Sequence, residues 1–333
     1  MRKIYFTIIA LSTCILLISG CSHKNNSVSA KDHSMDDTKN MDHSKMSMED
    51  MDHSGMRMND MEMEKPIRDT KNQKEVSQQQ IKNSSDRMYK QNITGKRVKI
   101  AVLDTGIDKK SEDLKYIKGI NFTSNENNNF QDDNGHGTKI AGIIGARKND
   151  FNLLGIAPES DLYIAKIANQ DGNVKYADLV KGIYWAIEQK VDIINISLEF
   201  PSGNKELHKA IKKAASKNII IVSSSGNIKY PGDTHIAYPG GYSEVISVGM
   251  LNTEGKIYTK EFNKKKIDVF APGEDIIALY FNNKMTLDTG VSFATAYTSG
   301  YAALIIQKNL VDCQQYNNKT IKEQLRKSLQ EQM

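Results

Sequence analysis

The chain has 333 residues, with 45 lysines and arginines against 40 aspartates and glutamates, and a formal net charge of +5 at pH 7. The basic residues are spread along the sequence without a stripe of interleaved aromatic residues, so the composition does not support nucleic-acid binding. Only three cysteines are present, which excludes a disulfide-rich scaffold.

The first twenty residues have the pattern of a secretory signal. Arg2 and Lys3 precede an apolar run over residues 4–18, which is too short and wrongly flanked for a stable membrane-spanning helix. The run ends in Ile-Ser-Gly-Cys21, which resembles a bacterial lipobox, where the cysteine is diacylated and becomes the mature N-terminus. We predict that residues 1–20 are a lipoprotein signal peptide and that Cys21 anchors an exported chain to the outer face of the cytoplasmic membrane. An ordinary cleaved signal is the alternative.

The remaining cysteines follow from this interpretation. Cys14 leaves with the signal peptide, so Cys313 is the single unmodified thiol and no intramolecular disulfide can form. We expect Cys313 to be buried and to pack as a small hydrophobe.

Residues 21–74 form a polar segment that contains too few apolar residues to fold alone. A short motif recurs with a period of ten, and nine of the fourteen methionines of the chain lie between residues 35 and 63. Thioether and imidazole groups together suit Cu(I) or Ag(I), so the repeats predict a copper or silver site on a disordered tether. A solvated spacer is the alternative. The candidate ligands are His33, His43, His53, Met35, Met46 and Met56.

Residues 75–333 alternate short apolar runs with amphipathic segments. This alternation predicts an α/β domain whose mostly parallel sheet is covered by helices on both faces. Predicted strands are Val98–Leu103, Leu162–Ile167, Asp192–Ile196, Ile219–Val222 and Val245–Val248. Predicted helices are Thr138–Ala146, Tyr176–Glu188 and Lys205–Ser216.

Three polar side chains stand where predicted strands end or helices begin. Asp104 leaves the first strand, where an acid can also cap the next segment. His136 opens a helix between Gly135 and Gly137, whose small size leaves a ligand unobstructed, although a histidine there is also common as a structural residue. Asn227 follows a strand, where asparagine forms turns and can also donate a hydrogen bond.

Ser292 lies in the small-residue segment Thr289–Ala294, which leads into an apolar helical run. A serine at this place is a good helix N-cap. It is a candidate nucleophile when the fold also supplies a base and an acid that orients the base. The carboxyl edge of a parallel sheet is where such groups meet.

The order Asp104, His136, Asn227, Ser292 resembles that of the subtilisin-like serine proteases. The likeness extends from about residue 75 to about residue 307 and includes four further motifs. These are Leu154–Pro158, Asp192–Leu198, Tyr242–Gly249 and Asp268–Gly273. The resemblance implies a three-layer peptidase domain over residues 75–333.

The resemblance also implies the roles of the four residues. Ser292 is the expected nucleophile, His136 the general base, and Asp104 the group that orients the imidazole. Asn227 is the expected oxyanion donor, together with the backbone N–H of Ser292. The chemistry needs no cofactor, and the expected molecule is a monomeric endopeptidase acting on exported polypeptides, similar to the leader peptidases of lanthionine-peptide pathways.

The expected substrate is an extended polypeptide lying against Ser197, Leu198 and Glu199 as an added strand. The family usually has Gly-Gly where this chain has Glu199 and Phe200. A glutamate at the rim, together with Asp233, favours arginine or lysine at the cleaved bond. The alternative is that both acids face solvent.

Calcium is a further implication, because the family often binds it at positions that match Asp113 and Asn149. Oxygen-rich loops suit this hard cation, although both loops can also be plain polar surface.

Two departures from the family pattern are Val291 for threonine and Ala296 for proline. The rival function is a copper- or silver-binding surface lipoprotein whose subtilase domain is inactive or weakly active.

Overall fold

A parallel sheet of seven strands, in the order β2-β3-β1-β4-β5-β6-β7, forms the centre of the computed structural model. The structure describes residues 85–124, 126–147, 153–226, 236–258 and 267–330. The strands are β1 Lys99–Asp104, β2 Tyr116–Asn121, β3 Asp161–Lys166, β4 Ile193–Ile196, β5 Ile220–Ser224, β6 Ile246–Leu251 and β7 Val269–Pro272. The predictions for residues 1–84 lie outside the described residues.

Helices cover both faces of this sheet. The helices are α1 at residues 85–89, α2 His136–Gly145, α3 Tyr176–Glu188, α4 Lys205–Ala215, α5 Val291–Val311 and α6 Asn318–Gln330. The alternation of side chains along β1 shows the layering, since Ile100 and Val102 join one core with α2 and α5. Ala101 and Leu103 join the other core with α3 and α4. The predicted three-layer α/β fold is therefore confirmed.

A two-stranded antiparallel hairpin lies outside the main sheet. It pairs β8 Ile276–Tyr280 with β9 Lys284–Asp288, and a 3₁₀ turn at Phe281–Asn283 joins the two strands. The hairpin packs on α2, and β9 leads through two residues into α5. The chain thus passes directly from this hairpin to the segment that carries Ser292.

The prediction for Cys313 is wrong, because this residue is exposed. It follows the end of α5 with a φ of 53°, in a turn that leaves the core. In the described part of the chain, every helix is too short or too polar to cross a bilayer.

Candidate active site

Asp104 and His136 form a buried pair at the carboxyl edge of the sheet. Asp104 is the last residue of β1, which lies inside the sheet, and His136 is the first residue of α2. His136 Nδ1 lies 2.7 Å from Asp104 Oδ1, and the two side chains are 3% and 0% exposed. The backbone N–H of Thr105 donates a second hydrogen bond to Asp104 Oδ1 at 2.8 Å. A buried carboxylate in this position fixes the imidazole so that its other nitrogen points away from Asp104.

The loop that carries His136 is organised by Asp132, which sequence reasoning missed. Asp132 is buried and accepts five hydrogen bonds. The donors are the backbone N–H groups of Asn134, Gly135 and Thr138 and the hydroxyls of Thr105 and Thr138. Because Thr105 follows Asp104 directly, Asp132 ties the segment that holds the acid to the helix that holds the histidine.

The two glycines around His136 have backbone roles. Gly135 has a φ of 104°, in the left-handed region that favours glycine. A Cβ on Gly137 would lie 2.3 Å from the carbonyl oxygen of Gly106. The glycines therefore let α2 begin against the turn after β1, and His136 itself is buried.

Ser292 lies in the first turn of α5, one residue past its start, while the N-cap position belongs to Gly290. The N-cap interpretation of the serine is therefore wrong. Ser292 Oγ donates to the carbonyl oxygen of Ser197 at 3.1 Å, and Ser197 Oγ donates to the carbonyl oxygen of Ser292 at 3.1 Å. The ring of Phe293 lies 6.3 Å from the imidazole of His136. The fold thus brings the serine, the histidine and the acid to one edge of the sheet.

Asn195 on β4 fixes the two serine-bearing segments together, and sequence reasoning gave no signal for it. Its amide donates to Ser197 Oγ at 3.0 Å, and its carbonyl oxygen accepts from Ser299 Oγ at 2.8 Å. All three side chains are buried. Strand β4 and helix α5 are therefore joined by side-chain hydrogen bonds immediately beside Ser292.

The structure describes three of the four predicted substrate-binding residues. Ser197 and Leu198 are buried, and Glu199 is half-buried at the end of β4. A Cβ on Gly226, at the end of β5, would lie 3.3 Å from Glu199 Oε2 and 2.7 Å from the Cβ of Ala237. The carboxylate of Glu199 therefore lies close to Gly226, between the segments that follow β4 and β5. Asn227 and Asp233 lie outside the described residues.

A buried cation also lies near the acid. Lys166, the last residue of β3, donates from Nζ to the carbonyl oxygen of Thr105 and to Asp133 Oδ1, both at 2.6 Å. In the parallel register Lys166 is opposite Asp104. This lysine is a site neighbour that the sequence did not single out.

Asp113 is buried, and within the described chain its Oδ1 lacks a hydrogen-bond partner. Burial, and secondarily the charge of Glu112, raises the pKa of the Asp113 carboxyl above its ordinary value. An unsatisfied buried carboxylate oxygen fits a hard cation. Asn149, the other candidate ligand, lies outside the described residues, and the described part holds no group of three or more His, Cys, Asp or Glu side chains arranged for a metal.

Comparison with known families agrees with this geometry, since residues 95–332 match the model of the subtilase family, Peptidase S8. The chain belongs to the subtilase family. As a subtilase it is a serine protease and therefore a hydrolase.

Three relatives illustrate the likeness. An intracellular serine protease of Paenibacillus polymyxa is 43% identical over 221 residues, covering 64% of this chain and 68% of the relative. Subtilisin of Bacillus pumilus is 36% identical over 223 residues, covering 67% and 81%. The major intracellular serine protease of Bacillus subtilis is 39% identical over 227 residues, covering 66% and 71%.

Proposed function

We propose that this subtilase is an endopeptidase whose acyl-enzyme forms on Ser292, with His136 as general base and Asp104 as the residue that orients it. The observation that carries the proposal is the 2.7 Å contact between His136 Nδ1 and Asp104 Oδ1, with Ser292 on the neighbouring helix start. Acyl transfer requires a serine, a base that takes its proton and a buried acid that orients the base.

In the proposed reaction, His136 removes the proton from Ser292 Oγ as this oxygen attacks the scissile carbonyl. Asp104 stabilises the imidazolium that forms, and His136 then gives the proton to the leaving amine. His136 then removes a proton from a water molecule, which attacks the acyl-enzyme and hydrolyses it. The amide of Asn227 and the backbone N–H of Ser292 are the proposed donors to the oxyanion.

We propose that the substrate lies as an added strand along Ser197, Leu198 and Glu199. The carboxylate of Glu199 next to Gly226 and Ala237 supports a preference for arginine or lysine on the acyl side of the cleaved bond, because a side chain entering between these strand ends meets that charge. Asp233 is proposed to add to the same negative field.

Calcium is proposed at Asp113 and Asn149. The bare Oδ1 of Asp113 supports the proposal, because the cation would supply the missing partner of a buried oxygen. When bound, calcium would serve stability and take no part in peptide hydrolysis.

The proposed location is the outer face of the cytoplasmic membrane, through a lipid on Cys21, and the proposed substrates are exported polypeptides. Two of the relatives are named intracellular proteases, so the proposed location does not rest on them. It rests on the first 21 residues, where two basic residues precede an apolar run that ends at Cys21. A tether over residues 21–74 would hold a monomeric domain clear of the membrane.

The triad is tested by fluorophosphonate labelling and by cleavage of a peptide panel that differs only in the residue before the scissile bond. Wild type should be labelled and active, and Ser292→Ala should lose labelling and about 10⁶-fold in turnover. Ser243→Ala, on the exposed surface, is the matched control and should behave as wild type. Equal behaviour of wild type and Ser292→Ala would remove the proposal.

A second candidate function is Cu(I) or Ag(I) binding by the repeats around His33, His43 and His53, and the observation that favours it is their ten-residue period. Titration of the full chain with Cu(I) against a competing chelator should show stoichiometric uptake. Replacing the three histidines by alanine should weaken that uptake without changing fluorophosphonate labelling. Equal uptake by both proteins would contradict this role for the histidines.

A further inference from the structure

The hairpin β8–β9 contacts the start of α2 at two places. A Cβ on Gly135 would lie 2.2 Å from the ring of Tyr280, so this ring packs directly against the residue before His136. One turn further along α2, Lys139 Nζ lies 3.2 Å from Asp288 Oδ2 and 5.3 Å from the centroid of the Tyr280 ring. The hairpin therefore contacts the helix of the general base through a ring and an ion pair.

Both members of this ion pair are almost completely buried. The side chains of Lys139 and Asp288 are 4% and 0% exposed. Asp288 Oδ2 also accepts the hydroxyl of Thr286 at 2.6 Å, and within the described chain Asp288 Oδ1 lacks a hydrogen-bond partner. A buried ion pair of this kind adds little to folding stability compared with apolar side chains of similar size. Stability therefore does not explain why the pair is present.

The places of the two residues in the chain supply that reason. Lys139 follows His136 by three positions in α2, so the two side chains lie on one face of the helix. Asp288 ends β9 and precedes Ser292 by four positions, separated from it only by the turn into α5. The pair therefore joins the helix that carries the proposed base to the strand that leads into the helix of the proposed nucleophile.

We propose that Lys139 and Asp288 are positioning residues that hold His136 at the reacting distance from Ser292. This inference rests on the proposed triad. A buried ionic contact between the two elements resists sliding of α2 along the hairpin, and a displacement of about 1 Å at the reacting atoms can cost about 100-fold in rate. Neither residue touches the substrate in this role.

The paired charges also cancel each other near His136, which provides a readout that packing alone would not change. An unpaired Lys139 cation disfavours the imidazolium, whereas an unpaired Asp288 anion favours it. The single variants Asp288→Asn and Lys139→Met should therefore move the acid limb of the pH–rate profile in opposite directions. The other ionisable groups around His136 stay unchanged in both variants: Asp104, Asp132, Asp133, Lys166 and Tyr280.

The test measures the second-order rate of Ser292 phosphonylation by a fluorophosphonate, in which Ser292 Oγ displaces fluoride, between pH 5 and 9 on the full chain. The double variant Lys139→Met/Asp288→Asn leaves no unpaired charge, so we expect it to fold and to react about 10- to 100-fold more slowly than wild type. The midpoint of the acid limb of its pH–rate profile should equal that of wild type. The conservative variant Lys139→Arg should keep most of the wild-type rate. The folded fraction from circular dichroism normalises every rate.

Lys308→Met is the matched control, because Lys308 pairs with Asp312 at 2.8 Å on the exposed surface of α5. It should react as wild type does. A wild-type rate in the double variant, or midpoints of the single variants that do not separate, would overturn the positioning role and leave the triad intact. Absence of labelling in wild type would overturn the triad and this inference together.

Discussion

Replacing Asp132 by asparagine tests how the loop of His136 is held. Asp132 Oδ1 accepts from the backbone N–H groups of Asn134 and Gly135 and from the Thr105 hydroxyl, at 2.9 to 3.0 Å. Oδ2 accepts from the backbone N–H and the hydroxyl of Thr138, at 2.8 and 2.6 Å. Five hydrogen-bond donors therefore converge on one buried carboxyl group.

An asparagine cannot satisfy this set in either orientation of its amide. With its NH₂ group in place of Oδ2, it faces the backbone N–H of Thr138. With its NH₂ group in place of Oδ1, it faces two backbone N–H groups. Leaving at least one buried N–H unsatisfied costs about 1–3 kcal/mol, and loss of the charge-assisted bonds adds to it, so we expect about 3 kcal/mol of destabilisation.

For a domain of this size, 3 kcal/mol corresponds to a decrease in Tm of about 6–12 °C. Thermal and urea unfolding followed by circular dichroism measure the change in free energy. Asp312→Asn, in the exposed pair with Lys308, is the matched control and should change stability by less than about 0.5 kcal/mol. A loss below about 1 kcal/mol in Asp132→Asn would show that Asp132 does not organise the loop.

The remaining predictions concern the site and its surroundings. Asp104→Asn should lower kcat by about 10⁴-fold with KM little changed, because the amide stabilises the wrong tautomer of His136. Glu199→Gln should lower the ratio of kcat/KM for arginine over leucine peptides by about 10- to 100-fold, measured on paired substrates. Without calcium at pH 7, Asp113→Asn should have a higher Tm than wild type. Addition of calcium should raise the Tm of wild type but not that of Asp113→Asn. Because burial raises the pKa of Asp113, calcium-free wild type should lose stability as the pH rises from the unfolded-state pKa of this carboxyl through the folded-state pKa, and calorimetry should detect the loss.

Three results would contradict the predictions for Asp104, Glu199 and the calcium response of Asp113. Near-normal kcat in Asp104→Asn would show that the acid does not set the tautomer. An unchanged arginine preference in Glu199→Gln would place the determinant elsewhere. An equal response of wild type and Asp113→Asn to calcium would remove Asp113 from the proposed ligands.

The interior strands of the sheet were predictable because burial on both faces makes them continuous apolar runs. β1, β3, β4 and β5 lie within a residue or two of their predicted bounds, and β6 begins one residue after its predicted start and ends three residues after its predicted end. The edge strands β2 and β7 were not predicted. β2 is polar and partly exposed, and β7 ends in Pro272, which is tolerated at an edge and weakens a strand signal.

The sequence by itself determined the family, the order Asp104, His136, Ser292 and the strand ends and helix start that carry them, because apolar periodicity and glycine-rich turns are local patterns. Only the tertiary structure decided that Asp132, rather than the adjacent Asp133, turns inward to hold the loop. It also decided that Lys139 pairs with Asp288 across a hairpin that the sequence did not predict. A buried polar group must find a partner, but which partner it finds depends on where distant segments come together.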